Sequence, residues 1–229
     1  TTKSVRGPGT LTAIGAANNT YSYGITSVNS TDLSVDGAKV IAIGGTASEK
    51  SNGIKNVNVT VGSSGSITAI GGAAATSYGI ESKTTVNSGT LNAIGGAASV
   101  GSYGISGTTT VNGGTLNAIG GKASTNSYGI NGQTTANGGT LNAIGGAASG
   151  MSCGIYYEVN IGLSVANGAA VTAIGGTYGL AVKYAFLSGG SFTGGTGAVH
   201  SLQDGGTVAA LLDSGYGYFA GETQLIPAD

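Results

Sequence analysis

A three-residue signature constrains this chain more than anything else in it. Ala-Ile-Gly recurs with its isoleucine at Ile14, Ile43, Ile70, Ile94, Ile119, Ile144 and Ile174, at intervals of 29, 27, 24, 25, 25 and 30 residues. A second marker keeps the same period: the glycine of the Tyr-Gly-Ile element falls at Gly24, Gly53, Gly79, Gly104, Gly129, Gly154 and Gly179. Self-similarity at 20 to 50 residues is the mark of a solenoid or array. The repeat here is about 25 residues, which admits few architectures.

One unit, Thr108 to Gln133, reads TTTVNGGTLNAIGGKASTNSYGINGQ. It holds three short extended pieces rich in β-branched and aromatic residues: Thr108 to Val111, Thr115 to Ile119 and Ser127 to Ile130. Asn112-Gly113-Gly114 and Gly120-Gly121 make the corners, because glycine and asparagine tolerate positive φ. An odd number of strands per repeat sets equivalent strands parallel when the chain coils. Parallel crossovers are overwhelmingly right-handed. The expected fold is all-β, a right-handed parallel β-helix of about seven to eight coils, each with three short strands.

Alternation assigns the faces. Leu11/Ala13, Val40/Ala42, Ile67/Ala69, Leu91/Ala93, Leu116/Ala118, Leu141/Ala143 and Val171/Ala173 are apolar throughout and point inward. Val35, Val61, Val86, Val111 and Ala136 form a second inward column, and Ile25, Ile54, Ile80, Ile105, Ile130, Ile155 and Leu180 a third. The isoleucine of Ala-Ile-Gly, beside a corner, is also assigned to the interior. Tyr23, Tyr78, Tyr103, Tyr128 and Tyr178 form a column interrupted by Asn52 and Cys153. Ideal alternation sends these rings inward as a ladder; a bend at the following glycine would turn them out as a sugar-stacking platform.

The pattern loosens in places. Ile25 to Val35 and Tyr156 to Asn167 read as longer connections, and from about Ala181 the repeat decays. The chain is read as one domain, 1–229, with coils over 1–206 and a C-terminal cap over 207–229. Within that cap, TVAALLDSG has helix-like content and YGYFAGETQLIP reads as a hairpin. A cap is needed because an open solenoid end exposes strand edges. No comparable segment precedes the first coil, so an upstream segment is expected.

Composition now makes sense. Glycine is 46 of 229 residues, while only 8 basic and 9 acidic side chains occur. A hydrophobic fraction of 40% argues against disorder, which pairs low hydrophobicity with high charge. A charge repeated once per coil would sit about 4.8 Å from its own copy, so outward sites favour Thr, Ser and Asn. A net charge of -1 without any Lys/Arg cluster excludes a nucleic-acid partner. No apolar run reaches the roughly 20 residues of a membrane span, so no membrane insertion is expected.

Equipment for catalysis is sparse. The acids Asp32, Asp36, Glu49, Glu81, Glu158, Asp204, Asp213, Glu222 and Asp229 are scattered, whereas glycoside hydrolysis needs two carboxylates about 5 to 9.5 Å apart. His200 is a loop or cap residue, and one His with one Cys cannot build a zinc site. Cys153, with no cation beside it in sequence, reads as a small buried hydrophobe. The glycines lack the context of a phosphate-binding loop and read as turn chemistry. No catalytic, metal-binding or cofactor-binding residue is assigned, and no cofactor is expected.

The units SYGISGTTTVNGGTLNAIGG and the ending GGTVAALLDSGYGYF resemble secreted, surface-exposed right-handed β-helix repeat proteins of bacteria, including adhesin-like and carbohydrate-binding members. The resemblance runs from about Gly9 to Phe219. It implies an extracellular, secreted or cell-surface location within a larger surface protein, and for some such proteins a calcium site built from clustered acids, which this chain lacks in sequence.

The functional expectation is a non-catalytic surface module for cell adhesion or polysaccharide binding through its repetitive lateral face, with a polysaccharide or host glycan as partner. The candidate contacts are Thr90, Asn92, Thr115, Asn117, Thr140 and Asn142, flat, uncharged and periodic, together with Tyr78, Tyr103 and Tyr128. A structural stalk or spacer is the alternative, because Thr and Asn also stack well as ladders. Ice binding through ordered hydroxyls and polysaccharide degradation rank below both.

Overall fold

The computed structural model describes residues 2–18, 20–157, 162–166 and 168–175, and the backbone of short strands at 185–187, 191–194, 202–203, 207–208, 216–217 and 226–227. It is a right-handed parallel β-solenoid, and no helix occurs among the described residues. Six turns show all three strands. Three further rungs extend two of the faces: Leu163–Val165 with Ala169–Ile174, Ala185–Leu187 with Ser191–Gly194, and Leu202–Gln203 with Thr207–Val208.

The first face, called here the Leu face, is a nine-stranded sheet running from Thr10–Ile14 through Thr90–Ile94 and Thr115–Ile119 to Thr207–Val208. Its register holds like over like: Thr115, Leu116, Asn117, Ala118 and Ile119 lie on Thr90, Leu91, Asn92, Ala93 and Ile94 below and on Thr140 to Ile144 above. The Val face carries Thr84–Val86, Thr109–Val111 and Thr134–Ala136, and the Tyr face carries Ala74–Glu81, Ala98–Ser106, Asn126–Asn131 and Ser152–Tyr156. In the first coils these two faces are traversed without a break, by Tyr21–Asp36 and Lys50–Val61.

Period-two alternation becomes a three-sided core. The inward pairs from Val40/Ala42 to Val171/Ala173 are buried, as are Val35, Val61, Val86, Val111 and Ala136 and the isoleucines Ile54 to Ile155. Burying each such Leu, Ile or Val contributes about 1.5 to 3 kcal/mol. At the first coil the core opens: Leu11 is 42% exposed and Ile25 only partly buried.

Three expectations need correction or relocation. The isoleucine of Ala-Ile-Gly faces outward, because the strand keeps strict alternation to its last residue: Ile43 to Ile174 are half-exposed and Ile14 is 68% exposed. Ile25 to Val35 has the extra length expected of it, with Ser27 to Ser30 standing against Asn56 alone at the register shift between Thr26 and Thr31, but it is built as strand rather than loop. Of Tyr156 to Asn167, residues 158–161 and 167 lie outside the described residues, as do the rest of the helix-like part after Thr207–Val208, Tyr178, Leu180 and His200. Near the C-terminus Thr207–Val208 joins the Leu face in parallel, and Tyr216–Gly217 pairs antiparallel with Ile226–Pro227.

Glycine at the Tyr-Gly-Ile position is dictated by backbone approach. A Cβ on Gly104 would stand 2.5 Å from the Ile119 nitrogen and 2.6 Å from the Gly129 oxygen, closer than any side chain tolerates. Gly114 has a different reason: its φ of 69° is a left-handed corner.

Candidate functional site

The outer side of the Leu face presents three straight columns. Thr90, Thr115 and Thr140 form the first, Asn92, Asn117 and Asn142 the second, and Ile94, Ile119 and Ile144 the third. All nine side chains are half-exposed. The asparagines bond one another: Asn117 Nδ2 donates to Asn92 Oδ1, and Asn142 Nδ2 to Asn117 Oδ1, each at 2.8 Å. Each bond uses one amide hydrogen and one lone pair, so a second donor and acceptor per residue remain for a ligand. Among the described residues, no side-chain hydrogen bond ties the three threonine hydroxyls. Of the outward positions on the strands from Thr10–Ile14 to Ala169–Ile174, one is charged, Lys39.

The tyrosines also stand on the outer side of their strands, Tyr78 and Tyr103 half-exposed but Tyr128 buried by its neighbours. Ser77, Ser102 and Ser127 point inward and are fully buried; the next residue, tyrosine, points outward; the glycine after it lies against the Leu-face backbone and is passed over in the ladder without a change of register, and the isoleucine that follows returns to the core. Tyr156 follows core Ile155 and stacks on Tyr128 at 4.7 Å between centroids, which places both rings on the outer side. Tyr78 and Tyr103 stack at 5.0 Å between centroids, and Tyr103 and Tyr128 meet at 5.4 Å with their rings tilted by 54°. The bend at the glycine, rather than ideal alternation, therefore decides the orientation.

This geometry alters what those rings can do. Packed one on another, the rings cover the surfaces that a sugar would need: Tyr78 and Tyr103 are half-buried and Tyr128 is buried. Burial, with the nearby charge of Glu81, pushes the Tyr78 phenol well above its usual range, and burial pushes Tyr103 up as well. Both are neutral hydrogen-bonding groups at physiological pH. Cys153, buried in the tyrosine column, leaves a slot that Tyr156 fills.

At Asn52 the column is interrupted differently. Lys50 bridges to Glu81 at 3.1 Å and lies over the Tyr78 ring, while Lys55 donates to Tyr23 Oη at 2.8 Å. Asn52 Nδ2 donates to Glu81 Oε2 at 2.7 Å. Glu81 is thus held by a lysine and an amide. Asp32 accepts from Asn58 Nδ2 at 3.0 Å and Asp36 from Ser34 Oγ at 3.0 Å. Among the described residues, no group of three or more His, Cys, Asp or Glu side chains could hold a metal ion, and no helix is long and apolar enough to cross a membrane.

Two further arrays escaped the sequence reading. Asn87, Asn112 and Asn137 form a second amide ladder at the exposed corner, again with 2.8 Å bonds. Ser22, Ser51, Ser77, Ser102, Ser127 and Ser152 form a buried column; Ser102, for example, donates to Gly96 O and accepts from Gly121 N. The signal was present, since serine precedes the tyrosine position in every described copy, including those occupied by Asn52 and Cys153.

Comparison with protein-family models, with curated proteins and with solved structures returns no match.

Proposed function

We propose that this protein is a non-catalytic, extracellular surface module that binds an uncharged polysaccharide along the outer side of its Leu face. The observation that carries the proposal is the parallel run of threonine hydroxyls, asparagine amides and isoleucine alkyl groups on one flat sheet with a single charge. A sugar chain offers the same alternation of hydroxyls and C–H surface, and the rungs repeat every 4.8 Å or so. With Lys39 as its single charge, this face favours a neutral glycan over an acidic one, because repeated carboxylates would meet one cation at one rung. The resemblance to carbohydrate-binding and adhesin-like bacterial β-helices supports the same reading.

The test is sedimentation with insoluble neutral polysaccharides and affinity electrophoresis with soluble ones. Replacing Thr90, Thr115 and Thr140 together by valine keeps the β-branched shape and deletes the hydroxyls; binding is expected to fall by about tenfold or more, each lost hydrogen bond being worth roughly 1 kcal/mol. Retention of no neutral glycan by the wild-type protein would refute the proposal. A second reading, a structural stalk, is favoured by the amides' bonding to each other, and it predicts that the same triple variant leaves every binding assay unchanged.

A further inference from the structure

The tyrosine column lacks one ring inside the stack. Asn52 is in register with Tyr23 on one side and Tyr78 on the other, so those two rings stand two rungs apart, about 9.6 Å. Neighbouring rings further along lie about one rung apart, Tyr78 on Tyr103 at 5.0 Å. The column therefore has a slot one aromatic ring thick, with a described coil on either side. Tyr78 gives one face to Tyr103, and the Lys50 ammonium lies over its ring at 5.4 Å; the Lys55 ammonium lies over Tyr23 at 4.6 Å. Both lysines are half-exposed, and their flexible stems let them swing aside.

The floor of the slot carries an unmet demand. Asn52 is fully buried; its Nδ2 donates to Glu81 Oε2 at 2.7 Å, but its Oδ1 has no hydrogen-bond partner. A buried carbonyl left unpaired is costly, and a native one calls for an explanation. The charges are uneven as well. Lys50 pairs with Glu81 at 3.1 Å, the one ion pair among the described residues, and Glu49 accepts a hydrogen bond from the Tyr21 hydroxyl. Lys55 donates to Tyr23 Oη and has no carboxylate partner. The slot thus offers two ring faces, one buried acceptor and one uncompensated cation.

We propose that this slot binds a planar aromatic carboxylate bearing a hydroxyl opposite its acid group. The ring completes the stack between Tyr23 and Tyr78, the hydroxyl donates to Asn52 Oδ1, and the carboxylate meets Lys55, while Lys50 keeps Glu81. This site is separate from the Leu face and does not depend on polysaccharide binding there. Two ammonium groups over two ring faces are also a structural substitute for the missing tyrosine; that role requires no ligand, and the experiment separates the two.

The probe is 4-hydroxybenzoate, titrated into the full chain and followed by ligand-detected NMR. Benzoate, which lacks the hydroxyl, and 4-hydroxybenzyl alcohol, which lacks the charge, are its counterparts. A ligand of this size is expected to bind with a Kd on the order of millimolar. Each counterpart should bind about tenfold more weakly, as expected for loss of one hydrogen bond. Lys55→Met should weaken the acid about tenfold and abolish its advantage over the alcohol, while Lys39→Met, on the Leu face, should change neither. Asn52→Tyr installs the residue that the coils of Tyr78, Tyr103 and Tyr128 carry at this position; its ring should fill the slot and abolish binding of all three compounds. Unfolding midpoints of the variants establish that each is folded. No saturable binding by the wild-type protein, benzoate or the alcohol binding as tightly as 4-hydroxybenzoate, or binding undiminished in Lys55→Met or in Asn52→Tyr would each overturn the proposal.

Discussion

Ser102 Oγ accepts the backbone N–H of Gly121 at 2.8 Å, one coil further along the chain. The same oxygen donates to the carbonyl of Gly96 at 2.7 Å, in its own coil. One buried hydroxyl therefore satisfies two corner groups that face no sheet partner. Ser102→Ala should leave both unpaired in the interior and destabilise the fold by about 1 to 3 kcal/mol. The urea-unfolding midpoint reads this directly; a midpoint equal to wild type would show that water or a corner rearrangement takes over both bonds.

Gly104 tests the other constraint on the same strand. With Ile119 N at 2.5 Å and Gly129 O at 2.6 Å from the place of a Cβ, Gly104→Ala would force two faces apart. Its expected cost exceeds about 3 kcal/mol, in the tail reserved for overpacking and strain. Gly9 is the matched control: nothing lies within 4 Å of its Cβ position, so Gly9→Ala should change the midpoint by no more than about 0.5 kcal/mol. Equal effects at the two positions would contradict the packing account.

Most of the architecture was legible because a solenoid writes each structural requirement once per coil. The columns Leu91/Leu116/Leu141 and Val86/Val111 could be read as interior from alternation alone. Alternation failed where backbone geometry departs from it. Tyr103 lies two residues before core Ile105, yet the bend at Gly104 puts it outside. Ile119, beside a corner, is read from sequence as interior, although alternation from Leu116 and Ala118 places it outside. That error hid the alkyl column that gives the Leu face its amphipathic character. The serine column was overlooked because a buried hydroxyl is recognised by its partners, Gly96 and Gly121, and those are distant in sequence.

The tyrosine ladder has a signature at high pH. Burial raises Tyr78 and Tyr103 above the usual phenol value of about 10. A group whose folded-state pKa is raised binds more protons folded than unfolded, so its stabilising contribution is complete below about pH 10 and is lost as pH rises toward the folded value. Phenolate absorbance should show a class of tyrosines that ionises late, and the unfolding midpoint should fall above about pH 10. Tyr78→Phe should reduce that late amplitude and flatten the decline. Ionisation of every tyrosine near the free-phenol value would contradict the buried ladder.

The asparagine ladder has a direction, and charge substitution should reveal it. Asn92 contributes only its Oδ1 to the bond with Asn117, whereas Asn142 contributes only its Nδ2. Asn92→Asp keeps an acceptor opposite the Asn117 amide and makes the bond charge-assisted, so its stability should equal or slightly exceed wild type. Asn142→Asp replaces a donor by an acceptor facing Asn117 Oδ1 and should cost about 1 kcal/mol. The double variant Asn92→Asp/Asn117→Asp sets two carboxylates about one rung apart, roughly 4.8 Å, where repulsion is about 1 to 3 kcal/mol at effective dielectrics of 80 to 20. Because each charge raises the folded-state pKa of the other above the free value of about 3.9, the double variant should be most stable in acid and lose stability as pH rises through that folded value. Unfolding midpoints for the three variants across pH 3 to 8 or so check the order. Equal penalties for Asn92→Asp and Asn142→Asp would show that the ladder has no fixed polarity, and a pH-independent double variant would remove like-charge repulsion as the reason these columns carry Thr and Asn.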